Sequence, residues 1–371
     1  MRCTPLTLPL LLSLLLAAPQ VLAAAPTAAP GSTSSEEKGA WTGELREDRV
    51  QLNLNRPSKN GERGGNMGFT LKLAEVPGLN AKTQGEHQFQ LAREAGTVQF
   101  DGRFVDGQGA GFYRFTPNAG YLKTMASLGF KDLEDEDRLS LAIFDVSTAR
   151  VKELQALGFR NLTSDDLVKA GIFDVSAEHV KRLRALGYDK LDFEDVVSGR
   201  IHGVTPEFIE SLRTLGFQRP AYEDLVAMRI HGVTPEYIRA MRAKGFEGKD
   251  AEELVGLRIH GVTPERIEAL AAAGYKNLPA EDLKAMSIHG ATPEYIQQLA
   301  ALGYKGLPPE RLVEMRIHGV SPEFIQEMRE AGYEKLSPEQ LVKMRIHGID
   351  REFVRSMSGD KAAQKQKAPK P

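Results

Sequence analysis

The sequence predicts an α+β protein, in which a small antiparallel β-meander or barrel is followed by an α-solenoid of 29-residue two-helix repeats. Three observations predict it. Apolar residues alternate with polar ones from Trp41 to Phe115, the period of half-buried strands. From Pro117 onward, Gly129, Gly158, Gly187, Gly216, Gly245, Gly274, Gly303 and Gly332 are spaced 29 residues apart without a slip, each followed by Phe or Tyr. A second series of the same period runs through His202, His231, His260, His289, His318 and His347, each inside Ile-His-Gly.

The N-terminal stretch comes first in the chain. Arg2 precedes a leucine-rich run from Leu6 to Leu22 that ends in small residues, which reads as a secretory signal peptide over 1–23, with cleavage after Ala23 or Ala24. A retained transmembrane anchor is the competing reading, but Pro9 and Pro19 interrupt the run, and a span needs about 20 apolar residues. Cys3 is the only cysteine and lies within the leader, so the exported protein is expected to carry no disulfide, in the periplasm or outside the cell, with no membrane span after cleavage. A low-complexity linker is expected over 24–40, and a disordered basic tail over 358–371.

The β module is expected over 41–115, with Trp41, Leu45, Val50, Leu52, Leu54, Met67, Phe69, Leu71, Leu73, Phe89, Leu91, Val98, Phe100, Phe104 and Phe112 on its inner face. Asn60-Gly61 and Gly64-Gly65 mark a polar loop, and Asp106-Gly107 between two Phe-rich runs is a hairpin signal. About six short strands result. A module of this size forms a small core, so its face is expected to pack on the helical region C-terminal to it. Its interior either holds a ligand or is filled by its own Phe side chains.

The helical region is expected over 117–357, as eight repeats and a half repeat. Asn118, Ser147, Ser176, Thr205, Thr234, Thr263, Thr292, Ser321 and Asp350 precede the first helix of each unit as N-caps, often with Pro and Glu next. In the unit from Val204, the residues Phe208, Ile209, Leu212 and Leu215 form one helical stripe, after which Gly216 supplies a left-handed residue and Phe217 folds back on Leu212. Leu225, Val226 and Met228 form the stripe of a second helix. Helices of about 10 residues are marginal alone, so stacking on neighbouring units must supply stability.

Composition narrows the function. Lys+Arg total 48 against 50 Asp+Glu, and this near-neutral mixture supplies no positive field for nucleic acid. His-Glu-x-x-His, Gly-x-Ser-x-Gly and phosphate-loop motifs are absent, and no cofactor, metal or catalytic residue is assigned. The repeated histidines suggest a metal ladder, but helices pack about 8–10 Å apart whereas ligands lie about 2 Å from one zinc. Phe144-Asp145 and Phe173-Asp174 replace His-Gly in two early units, so a packing ring is the competing reading. Arg200, Arg229, Arg258, Arg316 and Arg345, interrupted by Ser287, form a ridge that either pairs with carboxylates such as Glu223-Asp224 and Glu252-Glu253 or contacts an anionic partner. The positions Ser211, Ala240, Ala269, Gln298 and Glu327 vary between units and are expected to be exposed on the first helix. Together with Arg229, Arg258, Arg316 and Arg345 they are the candidate partner-binding residues.

The phrase Arg-Ile-His-Gly-Val-Thr-Pro-Glu at 200–207, 229–236 and 258–265, with the segments 95–104 and 109–117, resembles an extracytoplasmic module of bacterial envelope proteins. Similar repeats are appended to membrane sensor metallopeptidases of the beta-lactam-sensing type. Those peptidases carry His-Glu-x-x-His and several membrane spans, which this chain lacks, so the resemblance implies an envelope location while their activity carries over to no residue here. The expected function is that of an exported, non-enzymatic interaction or scaffold protein with a protein partner in the cell envelope. The alternative is a sensory or regulatory module that binds a ligand or peptide and acts through a membrane partner.

Overall fold

The computed structural model describes residues 37–56, 65–248 and 250–357; the expected leader, the tail after residue 357 and the loop containing Asn60-Gly61 lie outside them. Six antiparallel strands form one sheet: β1 (Glu37–Leu45), β2 (Arg49–Asn55), β3 (Asn66–Lys72), β4 (Gly85–Arg93), β5 (Gly96–Val105) and β6 (Gln108–Pro117). A series of short helices comes after the sheet. No helix among the described residues is long and apolar enough to cross a membrane.

The spatial order is β3-β2-β1-β6-β5-β4, so β1 pairs with β6 and the two hairpin runs meet in the middle of the sheet. An uninterrupted meander would pair β3 with β4. Instead these are the sheet's edges, joined by a 3-10 turn (Leu73–Glu75) and a loop that buries Val76 and Leu79. Between β5 and β6 the two-residue turn is the expected one, with Asp106 at φ 49° and Gly107 at φ 79°. β1 begins inside the expected linker, at Glu37, whose buried side chain lies 3.5 Å from the Arg56 guanidinium.

Cross-strand register explains how a small sheet holds so many rings. Trp41 pairs with Gly111, and Gly111 with Gly102. A Cβ at Gly102 would press on the indole and on the Ala110 carbonyl, so glycines clear the space the ring occupies. Trp41 and Phe89 are three strands apart in sheet order, yet their ring centroids are 5.4 Å apart, which means that the sheet curls tightly around its inner face. Phe100 stacks on Phe89 at 4.6 Å, and Phe104 lies 5.4 Å from Trp41. The interior is filled by its own aromatic side chains. One inner-face assignment is corrected: Phe112 is exposed because its cross-strand partners are Ala40 and Asp101 on the outer face, while Tyr113 and Phe115 point inward.

The helices are α1 (Ala119–Ser127), α2 (Asp135–Ile143), α3 (Thr148–Ala156), α4 (Ser164–Ile172), α5 (Ala177–Ala185), α6 (Phe193–His202), α7 (Pro206–Thr214) and α8 (Tyr222–Ile230). They continue as α9 (Pro235–Ala243), α10 (Ala251–Ile259), α11 (Pro264–Ala272), α12 (Ala280–Ile288), α13 (Pro293–Ala301), α14 (Pro309–Ile317), α15 (Pro322–Glu330) and α16 (Pro338–Ile346), with a last helical segment at 351–357. All nine expected caps accept a hydrogen bond from the backbone two or three residues on. At the end of α7, Gly216 has φ 87° and donates to the Arg213 carbonyl at 2.9 Å, while the Phe217 N–H reaches the Leu212 carbonyl at 3.1 Å, a Schellman ending. Asp145 at φ 52° and Asp174 at φ 50° take the left-handed place held by glycine in the later units.

Packing runs from each helix to the next but one: odd helices touch odd helices and even helices touch even helices along the chain. The sheet and the first helices share one core. α2 packs against β4, β5 and β6, and Tyr121, Met125, Leu139, Ile143, Val151 and Leu167 are continuous with the aromatic interior. Residue 115 is therefore not a packing boundary.

Candidate functional site

The arginines of the Ile-His-Gly phrase are built into the junctions between units. Arg229 lies with its guanidinium carbon 5.1 Å from the Phe208 ring centroid, and its Nε donates to the His202 carbonyl at 3.3 Å. The same geometry recurs at Arg258 over Tyr237 (4.9 Å), Arg316 over Tyr295 (5.0 Å) and Arg345 over Phe324 (5.0 Å). Arg316 and Arg345 also donate to the His289 and His318 carbonyls, each at 3.4 Å. Each ring sits at the third position of a first helix, and each carbonyl ends the preceding second helix, where a cation meets the negative helix end. Among the described residues these four arginines form no ion pair with a carboxylate within 4 Å, which corrects the pairing expected with the second-helix carboxylates. Arg200 does pair, with Asp174 at 3.3 Å.

The exception in the series obeys the same rule. Where the ring position holds Arg266 in place of an aromatic residue, the stacking position holds Ser287, whose hydroxyl donates to the His260 carbonyl. A second arginine there would face a cation instead of a ring. Arg150, also at the ring position, is matched by Gly171 and donates to the Ala170 carbonyl at 3.0 Å.

The variable positions are less open than expected. Ser211, Ala240, Ala269 and Glu327 are half-buried, and Gln298 alone is exposed. Ser211 lies three residues from Phe208 and four from Leu215, so helical geometry places it beside the apolar stripe, and its hydroxyl donates to the Glu207 carbonyl at 2.8 Å. The exposed face of α7 is instead Glu207, Glu210, Arg213 and Thr214.

A row of isoleucines is the feature that sequence reasoning passed over. Ile172, Ile201, Ile230, Ile259, Ile288, Ile317 and Ile346 each end or nearly end a second helix, one 29-residue step apart, and each is 47–55% exposed. The available signal was position: Ile230 falls off the buried face carrying Leu225 and Met228, yet stays apolar in every unit. The equivalent residue of the first unit, Ile143, is 3% exposed, buried in the core that α2 shares with the sheet.

Fixed charge accompanies the row. Glu236, Glu265, Glu294 and Glu323, at the second position of the succeeding first helices, are exposed, and all are held below the usual carboxylate range. The cause is first the residue's own backbone N–H and then the hydroxyl of the cap, Thr234, Thr263, Thr292 or Ser321. In the first turns of the second helices, burial and then the neighbouring carboxylates push Asp224 and Asp282 up. Among the described residues no group of three or more His, Cys, Asp or Glu is arranged to hold a metal.

A concavity of about 1220 Å³ lies on the outer face of the sheet and includes Lys38, Gln90, Gln99, Asp101, Phe112 and Arg114 in its lining. Within it Gln88 donates to the carboxylate of its cross-strand partner Asp101 at 3.0 Å. No model of a known protein family matches the chain, and no curated protein matches its sequence.

Proposed function

We propose that this chain is an exported, non-enzymatic interaction or scaffold protein, an α-solenoid of 29-residue units capped at its N-terminal end by the β module, acting in the cell envelope. The observation that carries the reading is the isoleucine row: seven half-exposed β-branched side chains at one repeat position. Isolated exposed apolar residues are ordinary, but a continuous row of them marks a contact surface. Export is supported by the leucine-rich leader.

Placing a photoreactive amino acid at Ile230 or Ile288 in the native host tests the reading. Protein crosslinks from these sites, absent from Glu210 on the opposite helix layer, are expected; equal yields from all three positions would contradict it. The outer-face cleft favours a second reading, a sensory module that binds a small ligand or peptide on the sheet. In that case substitution of Phe112, and not of the isoleucines, would abolish the biological response.

A further inference from the structure

The isoleucine row has a definite length and a definite period. Helices that pack side by side lie about 8–10 Å apart, so six steps from Ile172 to Ile346 span about 50–60 Å. Across the width of one helix, about 10–12 Å, this is on the order of 600 Å² of surface, approaching the roughly 800 Å² per partner of a standard interface. At its N-terminal end the row is continuous with an interface the protein already makes: Ile143 occupies the same repeat position and is buried in the core between α2 and the sheet. The same repeat position is thus buried in the one unit whose second helix meets the sheet.

Any partner that covers all seven rungs must present apolar groups at the same rise and over the same length. A second copy of the chain carries the same seven isoleucines at the same spacing. The chain's net charge does not oppose association, because 48 cationic and 50 anionic residues leave it near neutrality. A row of seven has a central member, Ile259, three steps from either end.

We infer that the occupant of the isoleucine row is a second copy of this chain, docked antiparallel about a two-fold axis through Ile259. The pairing brings Ile259 against itself, Ile230 against Ile288 of the other copy, and Ile172 against Ile346. This rests on the reading of the row as a contact surface and names its partner.

The test uses the full chain with Cys3→Ser, which leaves no other thiol. In sedimentation velocity the parent is expected at twice the chain mass, and the variant Ile230→Asp/Ile288→Asp at the chain mass with an unchanged far-UV spectrum. Phe112→Asp, on the exposed face of the sheet, is expected to stay dimeric. Under mild oxidation Ile259→Cys is expected to form a covalent dimer by itself, whereas Ile172→Cys forms one only when mixed with Ile346→Cys. A parent that stays monomeric to about 100 µM, or a dimer indifferent to both aspartates, overturns the inference. Self-crosslinking of Ile172→Cys as strong as that of Ile259→Cys overturns the antiparallel axis. If the monomeric chain crosslinks to a different protein from Ile230, this inference fails while the broader reading of the row stands.

Discussion

Replacing Arg229 with Ala removes three things at once. The guanidinium over Phe208 contributes about 0.5–1 kcal/mol as a partly exposed cation–π contact. Its 3.3 Å bond to the His202 carbonyl adds about 0.5–1 kcal/mol, with the favourable cation at the C-terminal end of α6 included in that figure. Because Arg229 is half-buried, solvent screens part of each contribution, and the expected loss is about 1 kcal/mol. Urea unfolding followed by far-UV circular dichroism reads it as a lower midpoint at constant slope. A double-mutant cycle with Phe208→Leu isolates the ring contact and is expected to give a coupling of about 0.5–1 kcal/mol. The same cycle with Glu223→Gln is expected to give none. A stability change below about 0.3 kcal/mol for Arg229→Ala, or a coupling that appears with Glu223 and not with Phe208, would refute the stacking account and restore the arginine–carboxylate pairing.

Other substitutions address other joints. Gly303 has φ 92° with nothing within 4 Å of where a Cβ would stand, so Gly303→Val is expected to cost about 1–2 kcal/mol from backbone strain alone; an unchanged melting temperature would contradict the left-handed cap. Ser287→Arg sets a second cation against Arg266 and is expected to lower the melting temperature, with Arg266→Tyr added to it restoring the ring–arginine pair and the stability; no recovery in the double variant would contradict the matching rule. The second-position glutamates have carboxyls lowered in the folded state, so their stabilisation is present above the unfolded carboxylate pKa, near 4.5, and is lost as pH falls through the lowered folded values. Glu236→Gln should therefore lose less stability than the parent between about pH 5 and pH 3, and identical acid titrations of the two would contradict this.

What the sequence made legible was local. A cap needs only its own hydroxyl or carboxylate and an N–H two or three residues on, so Thr205 through Asp350 could be placed from residue type and spacing. Gly216 and Asp145 were readable for the same reason, since a left-handed residue is required at the end of a short helix. The facing of Phe112 was not, because alternation alone fixes two faces but not which is buried; that is settled by pairing with Ala40, more than seventy residues away. Arg229 was seen as a recurring charge, but its carbonyl lies 27 residues back and its ring 21 residues back, contacts that exist only once neighbouring helices pack. Ile230 was absorbed into a helix-ending phrase. Only the buried faces of the second helices reveal that it points away from them.

Whether the isoleucine row is covered where the protein works is the most direct question. In the Cys3→Ser chain, the rate of maleimide labelling at Ile230→Cys and Ile288→Cys can be compared with that at Glu210→Cys, in the intact native envelope and again in dilute purified protein. The two row positions are expected to label several-fold more slowly in the envelope than in dilute solution, while Glu210→Cys labels equally in both. Equal labelling of the row and the control in the envelope would contradict a covered row.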